Sequence, residues 1–149
     1  MGNPPPKTIV VDTNVLIRAT FQKRSPISLR IYQAIKGQAC LLATSPAILA
    51  EIREVISRDY IIALTHTTPA QRTRYMTELS EISIQTPGKT KLTRQSRDRK
   101  DNKFLVCASE AQVDYLITSD EDLLDLKTYE GTRIIPPQEF VALLDAGTL

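Results

Sequence analysis

The sequence predicts an α/β fold in which helices cover both faces of a central, mostly parallel sheet of four to five strands. Short apolar stretches such as "TIVV" and "ACLLAT" alternate along the chain with longer segments that carry helix signals. These stretches lack regular polar alternation, which is typical of parallel strands buried on both faces. The 149 residues contain no repeat and no long linker, so we expect one domain.

The elements are justified by local signals along the chain. Strands are predicted at 8–12, 39–44 and 82–86, in "DYLITS" and in "TRIIPP". Helices are predicted from 13 to about 21, over 25–36, from 45 to about 59, from 68 in "TPAQRTRYMTELSE", over 101–112, in "DEDLLDL" and in "PQEFVALLDA". Ser25 and Ser45 each precede a proline, which marks a capped helix start, and Gly37 marks a helix end.

Composition places the chain among soluble globular proteins, with 42% apolar and 24% charged residues. No apolar run approaches the roughly 20 residues of a membrane span, so we expect no membrane association. Cys40 and Cys107 are too few for a disulfide framework and are expected in the core, which fits a reducing cytoplasm. Residues 1–7, with three prolines, are predicted to lead into a single domain over 8–149.

Several acids fall where predicted strands end or helices begin. Asp12 ends the first strand, Asp120 follows "YLITS" with Asp122 two residues later, and Asp101 opens a helix. Because ligands bind at the carboxyl ends of parallel strands, these acids are candidates for one site.

Helical geometry selects which acids face the core. At about 100° per residue, Asp101 lies within about 20° of the centre of its helix's apolar stripe, whereas Asn102 and Lys103 do not. Glu51 lies at the edge of the stripe of the 46–58 helix, about 40° from Val55. Glu51 is therefore the acid of that helix that can lean toward the sheet.

Each acid alone could be a helix cap or a boundary side chain. Four carboxylates at one edge would repel one another and raise one another's pKa values, and a divalent cation relieves this repulsion. Oxygen ligands without nearby His or Cys favour one or two Mg²⁺ or Mn²⁺ ions. The one histidine, His66, lies away from every motif and is expected to be structural or at the surface.

A carboxylate-held metal can activate water for phosphodiester hydrolysis. The sequence has no glycine-rich phosphate loop and no way to build a Ser-His-Asp triad. Residues 89–103 contain seven basic and two acidic residues, so we expect them to bind the phosphates of a polymer, with a solvated loop as the alternative. The candidate RNA-binding residues are Arg94, Arg97, Arg99, Lys100 and Lys103.

Three stretches, "VVDTNVLI", "LAEIREV" and "RDRKDNKFLVCASEAQVDYLITSDEDLL", resemble the PIN-domain ribonucleases. The resemblance is closest to the VapC-like toxins of prokaryotic toxin–antitoxin pairs and covers residues 8 to about 145. It implies a three-layer α/β/α sandwich. The catalytic, metal-binding acids that it implies are Asp12, Glu51, Asp101 and Asp120; Asp122 is a further candidate ligand, and Asn14, Ser119 and Asp98 are supporting polar residues.

The resemblance implies Mg²⁺- or Mn²⁺-dependent cleavage of single-stranded RNA that leaves a 5′-phosphate and a 3′-hydroxyl. Its implied partners are RNA, a cognate antitoxin protein and a second copy of the chain. Arg99 stands where family members often have proline, which bears on substrate preference.

Other functions remain open at this point. A PIN module with weak catalysis that binds RNA or protein, or a housekeeping RNA-processing nuclease, would have the same acids. A haloacid-dehalogenase-type phosphatase would need a second Asp where Asn14 stands. A receiver domain would need a lysine after a late strand, and "TRIIPP" is not followed by one.

Overall fold

The computed structural model describes residues 4–21 and 25–149, in which six strands form one sheet with helices around it. The strands are β1 Lys7–Val11, β2 Cys40–Thr44, β3 Ser83–Gln85, β4 Tyr115–Ile117, β5 Thr128–Tyr129 and β6 Thr132–Ile135. The helices are α1 Thr13–Phe21, α2 Pro26–Lys36, α3 Pro46–Ile56, α4 Asp59–Thr65, α5 Pro69–Ile82, α6 Asn102–Ala111, α7 Glu121–Leu124 and α8 Pro137–Asp145. A 3₁₀ turn, Arg99–Asp101, precedes α6.

The sheet has the strand order β3-β2-β1-β4-β6-β5, and every pairing except β5–β6 is parallel. The α/β class and the mostly parallel sheet predicted from the sequence are therefore confirmed. In β1, Ile9, Val10 and Val11 are buried, which explains the continuous apolar run. Because β1 and β4 are neighbours, the residues after their carboxyl ends lie side by side.

The sheet has one strand more than the four to five predicted. The additional strand, β5, has two residues and pairs antiparallel with β6 at the edge. Glu130 and Gly131, the two residues between them, both have positive φ, as two-residue hairpin turns require. Two residues are too few to produce a strand pattern in the sequence, so this strand was missed.

Helix α4 was also not predicted, and α3 ends at Ile56 rather than near residue 59. Helix α4 has seven residues, with Ile61 as its buried side chain, so it offers little periodic signal. It ends at His66, whose φ of 54° gives a left-handed cap and whose side chain is exposed, in agreement with its expected surface role. The predicted caps of α2 and α3 are present, because Ser25 and Ser45 each accept a backbone N–H bond.

Both cysteines are buried and free, as expected. Residues 1–3 of the predicted lead-in lie outside the described residues, and residues 4–6 are exposed without regular structure. Among the described residues, none of the helices has the length and apolar character needed to cross a bilayer.

Candidate active site

Asp12 is fixed at the carboxyl end of β1 by hydrogen bonds to its backbone and side chain. Its N–H donates to the Ile117 carbonyl at 2.9 Å, which continues the β1–β4 ladder by one residue. Its Oδ2 accepts a bond from the Thr118 hydroxyl at 2.7 Å, and the Asn14 N–H lies 3.4 Å from Oδ1. The carboxylate is thus oriented by the residue that follows β4 and by the start of α1.

Thr118 also orients Asp120. The Asp120 N–H donates to Thr118 Oγ1 at 3.0 Å, and Asp120 Oδ1 accepts the Asp122 N–H at 3.2 Å. One fully buried hydroxyl therefore connects the acids that follow β1 and β4. Ser119, which the family resemblance implies as a supporting polar residue, is exposed and lines the cavity described below. A threonine at the strand end was the signal that could have identified Thr118.

Glu51 reaches the same edge from α3. Its Oε2 accepts a short hydrogen bond from the Thr13 hydroxyl, and its Oε1 lies 3.0 Å from the Lys103 ammonium. Thr13 lies between Asp12 and Asn14 in the chain and is buried in the fold. It was not among the residues predicted for the site. Lys103, predicted from the sequence as an RNA-binding residue, extends to Glu51.

Asp101 lies just before α6, and its carboxyl oxygen Oδ2 is buried without a hydrogen-bond partner among the described residues. Burial, a side-chain hydrogen bond with Asp120 and the nearby carboxylates of Asp120, Asp98 and Asp12 raise the pKa of Asp101 to about 8. Burial is also the main reason why the pKa of Asp12 is raised, and its hydrogen bonds to Thr118 and Asn14 act against this shift. A buried, unpaired acid oxygen among other acids fits a bound cation.

The four carboxylates predicted from the sequence line one cavity of about 420 Å³. Arg18, Arg58 and Lys100 add positive charge to its wall, and sequence reasoning had singled out only the last of these. Two other cavities have volumes of about 580 and 410 Å³; the first has no acid in its lining and the second has Glu78 alone. We therefore identify the acidic cavity by its chemistry and not by its size.

Asp98 also lines the cavity, and it forms a second group of acids with Asp101 and Asp122. Asp98, Asp101 and Asp122 each place a carboxylate oxygen within 4.8 Å of the others, a spacing that could hold a metal ion. Asp122 Oδ1 is also 3.0 Å from Arg97 Nε, and an Asp98 oxygen accepts the Lys100 N–H at 3.0 Å. Asp101 thus belongs both to this group and to the four predicted acids Asp12, Glu51, Asp101 and Asp120.

The basic segment is tied to the protein more closely than a solvated loop would be. Arg94 Nη2 donates to the carbonyls of Leu126 and Thr128 at 3.1 and 2.9 Å. Arg97 forms ion pairs with Asp122 and Asp125.

These contacts narrow the set of predicted RNA-binding residues. Arg94, Arg97 and Lys103 already bind protein groups, although all five had been predicted to bind phosphates. Within residues 4–21 and 25–149, the side chains of Arg99 and Lys100 form no ion pair or hydrogen bond. Arg99 and Lys100 therefore remain the candidates for contact with a polyanion.

Comparison with known families matches residues 8–122 to a family profile described as "PIN domain". The match covers most of the chain and includes Asp12, Glu51, Asp101 and Asp120. No curated protein matches the chain.

Proposed function

The chain belongs to the PIN-domain family, and from this membership we propose that it is a metal-dependent endoribonuclease that hydrolyses RNA phosphodiester bonds. PIN domains are generally nucleases, and PIN nucleases generally use divalent metals. The observation that carries the proposal is the convergence of Asp12, Glu51, Asp101 and Asp120 on one cavity.

The residues of the cavity fit a hard divalent ion, Mg²⁺ or Mn²⁺. All four acids offer oxygen donors, and the buried Asp101 Oδ2 has no other partner among the described residues. Asp12, Asp101 and Asp120 would hold one or two ions, with Glu51 as the fourth acid of the set and Asp122 as a further candidate. When bound, such an ion activates water and offsets the charge that develops on the phosphate.

The surrounding residues would prepare the site and bind the substrate. Thr118 and Thr13 donate hydrogen bonds that fix the carboxylates of Asp12 and Glu51 before any substrate arrives. Arg18 and Lys100, in the cavity wall, would attract the phosphates of an RNA substrate.

The narrower biological role that we propose is that of a cytoplasmic toxin held in check by an antitoxin protein. The resemblance of "VVDTNVLI" and of the 98–124 block to VapC-like toxins supports this role. Self-association is supported by α2, which leaves Ile27 and Leu29 partly exposed. A small, charged, DNA-binding reading frame directly upstream in the genome would favour the toxin role over a housekeeping nuclease.

The nuclease proposal is tested with purified chain and an unstructured RNA. We expect cleavage with Mn²⁺ or Mg²⁺ and none with EDTA. For Asp12→Asn we expect the cleavage rate to fall at least about 100-fold, because loss of a metal ligand costs more than loss of a residue that only hydrogen-bonds to a ligand. Gel analysis of the products gives the rate. Asp59→Asn, which neutralises an exposed acid of α4, is the matched control and should cleave like the wild type.

Circular dichroism should show that Asp12→Asn retains the fold. RNA binding without metal-dependent cleavage by the wild type would contradict the nuclease proposal and favour the RNA-binding module.

A further inference from the structure

The ion pair between Lys103 and Glu51 differs from the other ion pairs of the described residues. Its side chains are 20% and 28% exposed, whereas every other pair has at least one side chain that is more than 50% exposed. The Nζ–Oε1 distance is 3.0 Å, and Glu51, the acid of the pair, lines the acidic cavity. Such a pair is less screened by water than a surface pair.

Lys103 is held in this position by two further contacts. Its ammonium donates to the Lys100 carbonyl, and it lies 5.4 Å from the centroid of the Phe104 ring. A carboxylate, a carbonyl and a ring face thus surround one cation. The arrangement fixes a side chain that would otherwise be flexible.

Glu51 is occupied on both oxygens, in contrast to Asp101. Thr13 donates to Oε2 and Lys103 to Oε1, whereas Asp101 Oδ2 has no partner among the described residues. A metal ion bound by Glu51 would have to displace the ammonium or share an oxygen with it. Asp101 Oδ2 needs no such displacement.

We propose that Lys103 serves as a resident cation of the acidic cavity, takes the place of a second divalent ion at Glu51, and leaves Asp12, Asp101 and Asp120 to bind a single ion. This inference rests on the proposed function only in assuming that the cavity binds a divalent metal. It refines the role of Glu51 from a metal ligand to the residue that positions Lys103.

The charge of the cavity agrees with this assignment. With Asp98, five carboxylates line the cavity, and the Lys103 ammonium offsets one of their negative charges when all are ionised. One divalent ion offsets two more, and Arg18 and Lys100 in the wall offset the remaining two, so the phosphates of a substrate meet a site close to neutral. A second ion beside the ammonium would leave two cationic centres at the same acid, which repel each other.

The test counts bound Mn²⁺ by equilibrium dialysis, without RNA. We expect one ion per chain for the wild type and two for Lys103→Met, which removes the charge but retains an unbranched apolar stem. Lys100→Met is the matched control: it removes one lysine charge from the cavity wall but no ion pair, and it should bind one ion. Lys103→Arg, which retains the charge, should also bind one.

Equal stoichiometry in the wild type and Lys103→Met would overturn the inference, as would two ions bound by Lys100→Met. No Mn²⁺ bound by either the wild type or Lys103→Met would overturn both this inference and the metal site of the proposed function.

A second variant keeps the inference testable if Lys103→Met does not fold. If Glu51 holds Lys103 and not the metal, Glu51→Gln should weaken Mn²⁺ binding by no more than about 10-fold, the lower range for an outer partner. Asp12→Asn should weaken it by more than about 100-fold. An equal loss in both variants would show that Glu51 is a direct ligand and would overturn the inference.

Discussion

At the scale of single residues, two threonine hydroxyls and one lysine determine how the acids of the cavity are presented. Thr118 and Thr13 are 0% and 3% exposed, so their hydrogen bonds to Asp12 and Glu51 are shielded from water. Their short side chains leave little freedom once they are buried. The carboxylates are therefore ordered by the fold, and a cation or substrate need not supply that order.

The raised pKa of Asp101 predicts how stability depends on pH in the absence of metal. A pKa of about 8 in the folded chain, against an ordinary value of 3.8, means that the fold retains a proton that the unfolded chain releases. Stability from this group is thus present at low pH and is lost as the pH rises from about 4 to about 8.

We therefore expect the wild type in EDTA to lose more stability between pH 5 and pH 8.5 than Asp101→Asn does, as measured by urea unfolding. Asp59→Asn, at an exposed site, should follow the wild type. Parallel curves for the wild type and Asp101→Asn would contradict the expectation.

At the scale of elements, the start of the basic segment is anchored to α6. The carboxylate of Glu110 accepts the N–H groups of Gly88, Lys89 and Thr90 at 2.7, 2.9 and 3.1 Å. Gly88 has a φ of +74°, a conformation that side-chain-bearing residues rarely adopt. With Arg94 bound to two carbonyls further on, the segment is held at several points and presents Arg99 and Lys100 beside the cavity.

The salt dependence of RNA binding tests this segment. Each phosphate contact to a single strand contributes about −0.7 to the slope of log K against log salt. The double variant Arg99→Gln, Lys100→Gln should therefore reduce the magnitude of this slope by up to about 1.4. Fluorescence anisotropy in EDTA, which prevents cleavage, measures the slope. Arg53→Gln with Arg74→Gln removes two exposed charges from other cavities and is the control.

We expect that control to retain the wild-type slope. An equal reduction in both double variants would mean that RNA responds to the total charge and not to this segment.

At the scale of the whole molecule, mutual repulsion among the acids couples metal binding to folding. The cavity joins residues that follow β1 and β4 to residues of α3 and to the start of α6, so an ion held there connects separate parts of the chain. Because an ion that binds the folded chain alone stabilises it, metal binding and thermal stability rise together.

We predict that Mn²⁺ at 100 times its Kd stabilises the chain by about 2.7 kcal/mol. For a domain of this size that amounts to roughly 5–10 °C in Tm. Differential scanning fluorimetry with and without EDTA measures it. The double variant Asp12→Asn, Asp120→Asn should show little increase in Tm with Mn²⁺. A wild-type Tm that does not change with Mn²⁺ would contradict the prediction.

The α/β class, and the edge of the sheet at which the acids lie, could be predicted from the amino-acid sequence alone. Apolar strands, serine caps and the position of an acid after a strand are local patterns, and they report backbone geometry and burial directly. Asp12 and Asp120 could be placed together because neighbouring parallel strands end at one edge.

The side chains that orient those acids, and the cations that accompany them, could be identified only in the folded structure. Thr118 and Asp12 are 106 residues apart, and Lys103 and Glu51 are 52 apart, so no local pattern joins them. Helical angles give the direction of a Cβ atom, but a lysine side chain has a long flexible stem and can carry its charge elsewhere. For this reason the pairing of Lys103 with Glu51 could not be predicted from the basic segment, which indicated only a residue that binds RNA.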